Sequence, residues 1–330
     1  MIARLFVLLP FSLTVPEGQQ FPLYEDSYEG YDVWVFPPLR SDRPSPVDGL
    51  DEIKLDGVPA FQADVLRIDF RRESFDRRKD GTLDPPEHVI TRAVNSFLVR
   101  LRYVTRAGQV RPVNFPKVGW RLRYLNDDET ELEKDENLVR GRGTLHFSLS
   151  WIALNKQVWE DIHNLPVDFD PPPWDGLLLD ANAELPNVGP AIVLAATALE
   201  VFISHNLDRL MEKTSLPAEL WKWINERSNW LGEPTLEEQY DVLLKFFTGH
   251  SLKDEQKLWE SYKNLKTMRN SFVHAGTAKL GGKPATAEMT LQLIATASEI
   301  VSKVREWLPE ELHWHEFKHN MQVEVFKKLT

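Results

Sequence analysis

The sequence predicts an α+β N-terminal domain followed by an all-α antiparallel helical bundle. Three observations lead there. Before residue 165, short alternating apolar runs surround one helical stretch. From Asn187 onward, apolar residues recur at three- and four-residue steps and keep that period. Between the two lies VDFDPPPWDG, whose prolines, aspartates and Gly176 read as a stiff polar connection. The expected boundaries are a mixed domain over 1–165, a linker over 166–186, and a helical bundle with a C-terminal tail over 187–330. A chain of 330 residues suits two domains.

Composition narrows the function classes. Eleven tryptophans and seventeen phenylalanines supply ample core material. The net charge of -11 opposes a broad nucleic-acid-coating surface, so any such contact must be a local patch. The chain has no cysteine, which excludes disulfides, thiolate catalysis and Cys-ligated metals. This fits a reducing, cytoplasmic setting. The opening MIARLFVLLPFSLTVPEG mimics a weak signal peptide, but Pro10 and the lack of an Ala-x-Ala site favour a first strand. No unbroken run approaches the eighteen apolar residues of a membrane span.

In the N-terminal half, Ile2 to Thr14 reads as a buried strand. Tyr31 to Phe36 alternates and is stopped by Pro37-Pro38, and Leu39 to Gly57 reads as loop. Ala63 to Phe70 alternates again. Glu87 to Tyr103 follows Pro85-Pro86 and lines Val89, Ala93, Phe97, Leu98 and Leu101 on one side, so it reads as a helix. Trp120 to Leu125 and Thr144 to Ser150 read as strands. Asn126 to Glu136, crowded with carboxylates, reads as a solvated tip. The basic run through Arg71, Arg72, Arg77, Arg78 and Lys79 is interleaved with Glu73, Asp76 and Asp80 and reads as a solvated turn. No Gly-x-Gly-x-x-Gly or Walker-type loop is present. A sensor or adaptor role for this half follows only by elimination.

Trp151 to His163 reads as a short helix. Asp168, Asp170 and Asp175 match no calcium-loop spacing. In the C-terminal half, Pro190 to Met211 is apolar almost all round through Ile203, interrupted by Glu200. Pro217 to Trp230 reads as a second helix. Thr235 caps a third, with Glu238 in the capping-box position. Lys253 to Gly276 is a long helix ending at a glycine cap. Ala285 to Leu308 is the last. Short connections between such helices imply an antiparallel bundle. His315 and His319 in the tail are one turn apart, but no third metal ligand is evident and no metal or cofactor is expected.

The helix over 253–276 carries the candidate site. At 100° per residue, Arg269 falls within about 20° of Leu258, in the middle of the apolar stripe. Lys266 and Asn270 lie on the adjoining flank. Glu200 breaks an apolar run and needs a partner, because an unpaired buried charge costs several kcal/mol. Arg269 is the comparably intrusive cation downstream, so the two are expected to pair. His274 lies roughly 140° round from Arg269. The two share a pocket only if the last turn unwinds or two copies of the helix face each other.

The run Arg-Asn-Ser-Phe-Val-His, Arg269 to His274, resembles the signature of HEPN domains, an Arg followed four to six residues later by a His, with a polar residue after the Arg. The resemblance covers about 187–308 and extends to the bacterial anti-phage defence proteins of that family. It implies an HEPN-like bundle, a homodimer, and a metal-independent endoribonuclease acting on RNA, as a toxin or in defence. In that scheme the substrate's 2′-hydroxyl attacks the adjacent phosphorus and leaves a 2′,3′-cyclic phosphate. His274 moves a proton, Arg269 holds the phosphate, Asn270 positions a phosphate oxygen or the histidine, and Glu200 orients Arg269. Lys263 and Lys266 draw in RNA. Residues 251–283 hold seven Lys or Arg against Asp254, Glu255 and Glu260, which supplies the local patch. A phage or host factor is the implied activator, with no membrane partner. Because some HEPN domains are inactive, a dimerisation, scaffold or nucleotide-sensing module is the alternative. A metallohydrolase on the His313–His319 tail is a third reading.

Overall fold

The computed structural model describes residues 1–40, 52–75, 83–115, 117–130, 139–141, 152–214, 216–225, 233–319 and 321–326. The chain forms a β-rich unit with helices followed by a largely helical unit, as its periodicities require. The first unit comprises Met1–Asp170 and Glu316–Thr330, the second Pro171–His315.

In the first unit, β1 (Ile2–Pro16), β2 (Tyr24–Tyr28), β3 (Tyr31–Arg40), β4 (Glu52–Leu55) and β5 (Val58–Arg71) precede α1 (Glu87–Thr105). Then follow β6 (Trp120–Leu125), β7 (Val139–Gly141), β8 (Ile152–Ala153) and α2 (Lys156–Asn164). β5 is the hub: it pairs antiparallel with β1, β3 and β4, while β1 also pairs with β6. Alternation puts Leu5, Val7, Val33, Val35, Ile68 and Phe70 on one face. Ile90, Val94, Phe97 and Leu101 bring the apolar side of α1 into the same core.

Several expectations change in this unit. The 39–57 loop contains β4, and β3 runs on to Arg40. Ile152–Ala153 pairs parallel to β1, so α2 starts only after Asn155, whose side chain accepts from the Val158 N–H. The tail does not continue the bundle. Its strand Val323–Phe326 pairs with β4, and Phe317 packs on Tyr103. Thr144 to Ser150, the Arg77–Lys79 run and the far part of the acidic tip lie outside the described residues.

The second unit begins where the linker was expected. Pro173–Glu184 is a helix, α3, with Pro173 in its first turn, where a missing N–H costs nothing. Trp174, Leu178 and Ala181 bury against the bundle, with the Trp174 ring 5.2 Å from Phe202 and from Trp314. Next come α4 (Val188–Glu212), α5 (Ala218–Asn225), α6 (Leu236–Glu238), a π turn at Gln239–Leu243, and α7 (Leu244–Thr248). The expected helix beyond Asn225 lies outside the described residues. α8 (Gln256–Ala275), the two-residue strands β9 (Lys279–Leu280) and β10 (Lys283–Pro284), and α9 (Ala287–Trp307) complete it. Thr235 and Glu238 form the reciprocal capping box at α6.

α4 is central, packing on α3, α8 and α9. Among the described residues it is the one helix long and apolar enough to cross a membrane, a property that a count of unbroken apolar residues misses. Half of that stretch is buried within the fold, including Ala191, Ile192, Ala195, Leu199 and Phe202. At its start, a Cβ on Gly189 would sit 2.0 Å from the Phe272 ring, so only glycine lets α8 approach there.

Candidate functional site

α4 and α8 form the walls of the site. Tyr262, Leu265 and Arg269 lie on one stripe of α8 because their steps of three and four return to the same face. Leu265 and Tyr262 are buried, whereas Arg269 reaches the edge of the core. There Arg269 Nη2 lies 3.7 Å from Glu200 Oε1, with the two side chains 36% and 32% exposed. The expected partners therefore meet, but at a wet rim and beyond hydrogen-bond range. Arg269 Nη1 donates to Asn270 Oδ1 at 3.2 Å.

A cavity of about 80 Å³ opens at this pair. Glu200, Tyr262, Lys266, Arg269 and Asn270 give it a polar side, and Ala196, Leu199, Leu236 and Leu265 an aliphatic one. Two polar atoms there are buried without a hydrogen-bond partner, Arg269 Nε and the Tyr262 hydroxyl. Buried donors ordinarily find acceptors, so both can take an oxygen from ordered water or from a bound molecule. Burial raises the Tyr262 hydroxyl well above its ordinary value, with Glu237 and Glu200 adding to the effect. It remains a neutral donor at any physiological pH.

The π turn supplies the backing. It places Tyr240 in the core, where its hydroxyl donates to the Leu199 carbonyl at 2.8 Å, one residue before Glu200. The Tyr240 ring lies 5.2 Å from that of Tyr262. π turns interrupt helices at a cost and recur at functional sites. By spacing alone Tyr262 is one more apolar contact of α8, and Tyr240 carries no signal. The position of Tyr262, seven residues before Arg269 on the same stripe, is the signal that reveals it.

The lysines are engaged. Lys266 Nζ donates to Glu237 Oε1 at 2.7 Å, and Lys263 Nζ to Glu260 Oε1 at 2.6 Å. Lys266 lines the cavity and Lys263 does not. His274 is exposed and also stands outside it. α8 remains helical through Ala275 and ends on Gly276 at φ 67°, whose N–H bonds the Phe272 carbonyl at 2.7 Å. The last turn does not unwind, so one chain does not place His274 beside Arg269. In the tail, His313 bonds the Leu308 carbonyl and His319 lies 3.1 Å from Asp161. Among the described residues, no three His, Cys, Asp or Glu side chains gather as a metal site would require.

These features define a two-unit protein whose helical unit carries a partly open Arg–Glu cavity. Compared with known protein families, with curated proteins and with solved structures, the chain matches none.

Proposed function

We propose that the helical unit is an HEPN-like, metal-independent endoribonuclease that works as a homodimer. The observation that carries the reading is Arg269, which lines a cavity with Nε unpartnered, beside Asn270 and Lys266 and with Glu200 3.7 Å away. A phosphate oxygen satisfies the two free donors that the cavity presents. Arg269 then stabilises the charge that develops as the ribose 2′-hydroxyl bonds to phosphorus and the bond to the 5′-oxygen breaks. His274 carries the proton, as histidine is the side chain most often used for general acid–base work. In a dimer, His274 serves from the partner's α8 or from the same helix at a shared cleft. RNA is the substrate because the nucleophile is the 2′-hydroxyl. A cytoplasmic role in phage defence, released by a phage or host factor, belongs to the same proposal.

One observation favours the non-catalytic alternative: among the described residues lining the cavity of a single chain, no histidine stands beside Arg269. A dimerisation or nucleotide-sensing module needs the cavity but not His274.

The test is cleavage of single-stranded RNA in EDTA. Wild type should yield 2′,3′-cyclic phosphate ends and leave matched DNA intact. His274→Ala should keep its thermal stability and lose about 10²- to 10⁴-fold in rate. Arg269→Ala should also lose cleavage. Wild-type cutting in both variants would overturn the assignment. Absence of any cutting, with nucleotide binding that depends on Arg269 alone, would establish the alternative.

A further inference from the structure

The cavity between α4 and α8 is graded in depth. Leu199, Tyr262 and Leu265 are buried and form its floor, whereas Glu200, Lys266 and Arg269 are half-buried and form its mouth. Among the described lining residues, the floor holds one polar side-chain atom, the Tyr262 hydroxyl. The cavity measures about 80 Å³. That is well below the roughly 150 Å³ that admits a benzene ring. A whole nucleobase is therefore too large for it, and an oxygen of a phosphate group is not.

Packing alone gives that hydroxyl no reason to be there. Tyr262 is 3% exposed, and its hydroxyl has no hydrogen-bond partner in the protein. The neighbouring Tyr240, with its ring 5.2 Å away, gives its own hydroxyl to the Leu199 carbonyl. An unmet buried hydroxyl weakens a fold, and phenylalanine fills the same space without that loss. Groups that break a local rule of stability gather where ligands bind. Arg269 Nε is the second buried donor without a partner at this cavity, seven residues on along the same stripe of α8. One neutral donor and one cationic donor thus serve a single small space.

We propose that Tyr262 contacts the substrate, its hydroxyl donating to a non-bridging oxygen of the phosphate that Arg269 holds at the mouth. The identity of that phosphate rests on the nuclease reading. Among buried leucines the hydroxyl meets little water, and a hydrogen bond made there is stronger than one at the surface. It adds a donor behind Arg269 without adding a second cation. A phosphate oxygen is the same under every base, so this contact sets rate and affinity but not sequence. An ordered water meets the same hydroxyl equally well, and the experiment separates the two.

Tyr262→Phe in the full chain removes the hydroxyl and keeps the ring. Oligouridylate and oligoadenylate serve as substrates in EDTA, with the thermal midpoint of each protein read alongside. kcat/KM should fall about 10²-fold, by the same factor on both strands, while the midpoint stays equal to or above that of wild type. Cutting at the wild-type rate overturns the proposal. A lowered midpoint with cutting intact also overturns it, because water then bridges the hydroxyl to the protein. So does a loss confined to one strand, because the hydroxyl then reads a base. Affinity is read separately, by fluorescence anisotropy of a labelled oligouridylate with a chain carrying His274→Ala, so that no strand is cut. Adding Tyr262→Phe should weaken binding about tenfold. If wild type never cuts RNA but Tyr262→Phe and Arg269→Ala each weaken binding, Tyr262 keeps its contact and the nuclease reading falls. If RNA is cut and Tyr262→Phe changes neither rate nor affinity, the reverse holds. No binding and no cutting by wild type overturns both.

Discussion

Both units place arginine against carboxylate at the margin of an apolar core, and they do so in opposite ways. In the first unit, Asp69 is fully enclosed and takes two arginine forks: Arg4 at 2.8 Å and Arg67 at 2.7 Å. Arg100 and Asp26 are each 1% exposed, and Arg100 also donates to the Ser96 hydroxyl and the Ser96 and Leu165 carbonyls. In the second unit, Arg269 and Glu200 are a third exposed, 3.7 Å apart, and leave Nε without a partner. An ion whose bonding capacity is used up by its own fold is structural. One that keeps a donor without a protein partner at a cavity can still take an acceptor.

Breaking an enclosed pair is the strongest way to test that contrast. Burial lowers Arg100 to about 10 and raises Asp26, so both partners carry a desolvation penalty. Arg100→Met strands Asp26 in the core and should cost about 3–5 kcal/mol in the first unit, read by calorimetry. Adding Asp26→Leu should recover much of the loss, because the isolated charge is then gone. A smaller effect is expected at the helix crossing of the second unit. Gly189→Ala drives a methyl into the Phe272 ring and should cost about 1–3 kcal/mol, measured as a lower midpoint of that unit's transition.

The open pair should behave unlike either. Arg269→Gln should change stability by no more than about 1 kcal/mol, since a long, solvent-screened ion pair contributes little. A loss as large as that at Arg100 would erase the distinction between the two sites. The smallest effect is a pH dependence in the first unit. Burial, with Arg100 nearby, lowers His163 from its ordinary 6.5, against weaker opposing effects of Asp26 and Glu25. The unfolded chain therefore takes up this proton before the folded one. Stability is complete above pH 6.5 and declines as pH falls through that value toward the depressed folded pKa. His163→Asn should flatten that part of the stability–pH curve, as followed by denaturant midpoints. An unchanged slope would mean that His163 titrates as an ordinary imidazole.

Local pattern made much of this legible. The long helices, the Thr235–Glu238 box and the Gly276 cap follow from spacing and residue type within a few positions. The pairing of Glu200 with Arg269 was readable because each interrupts an apolar run, so each demands a partner. What local pattern could not convey was the depth of that pairing: two charges at a wet rim and two in a core interrupt a sequence in the same manner. Tyr262 was hidden for a related reason, since a tyrosine on an apolar stripe looks like core until its hydroxyl is found without a partner.

The sequence by itself determined where the chain changes from alternating strands to helices, because side-chain period is a property of neighbouring residues. It also gave the angle of roughly 140° between Arg269 and His274 for an unbroken helix, while the tertiary structure decided that the last turn stays wound. Tertiary structure decided the rest. β2 and β4 are short segments that become strands by pairing across tight turns with β3 and β5, and the tail strand Val323–Phe326 becomes one only by pairing with the distant β4. The proline-rich stretch at 171–186 yielded α3 because its leucines and Trp174 found the flank of α4. The cavity exists because two helices and the segment at Leu236, from separate parts of the chain, meet around one arginine, and no local segment carries that information.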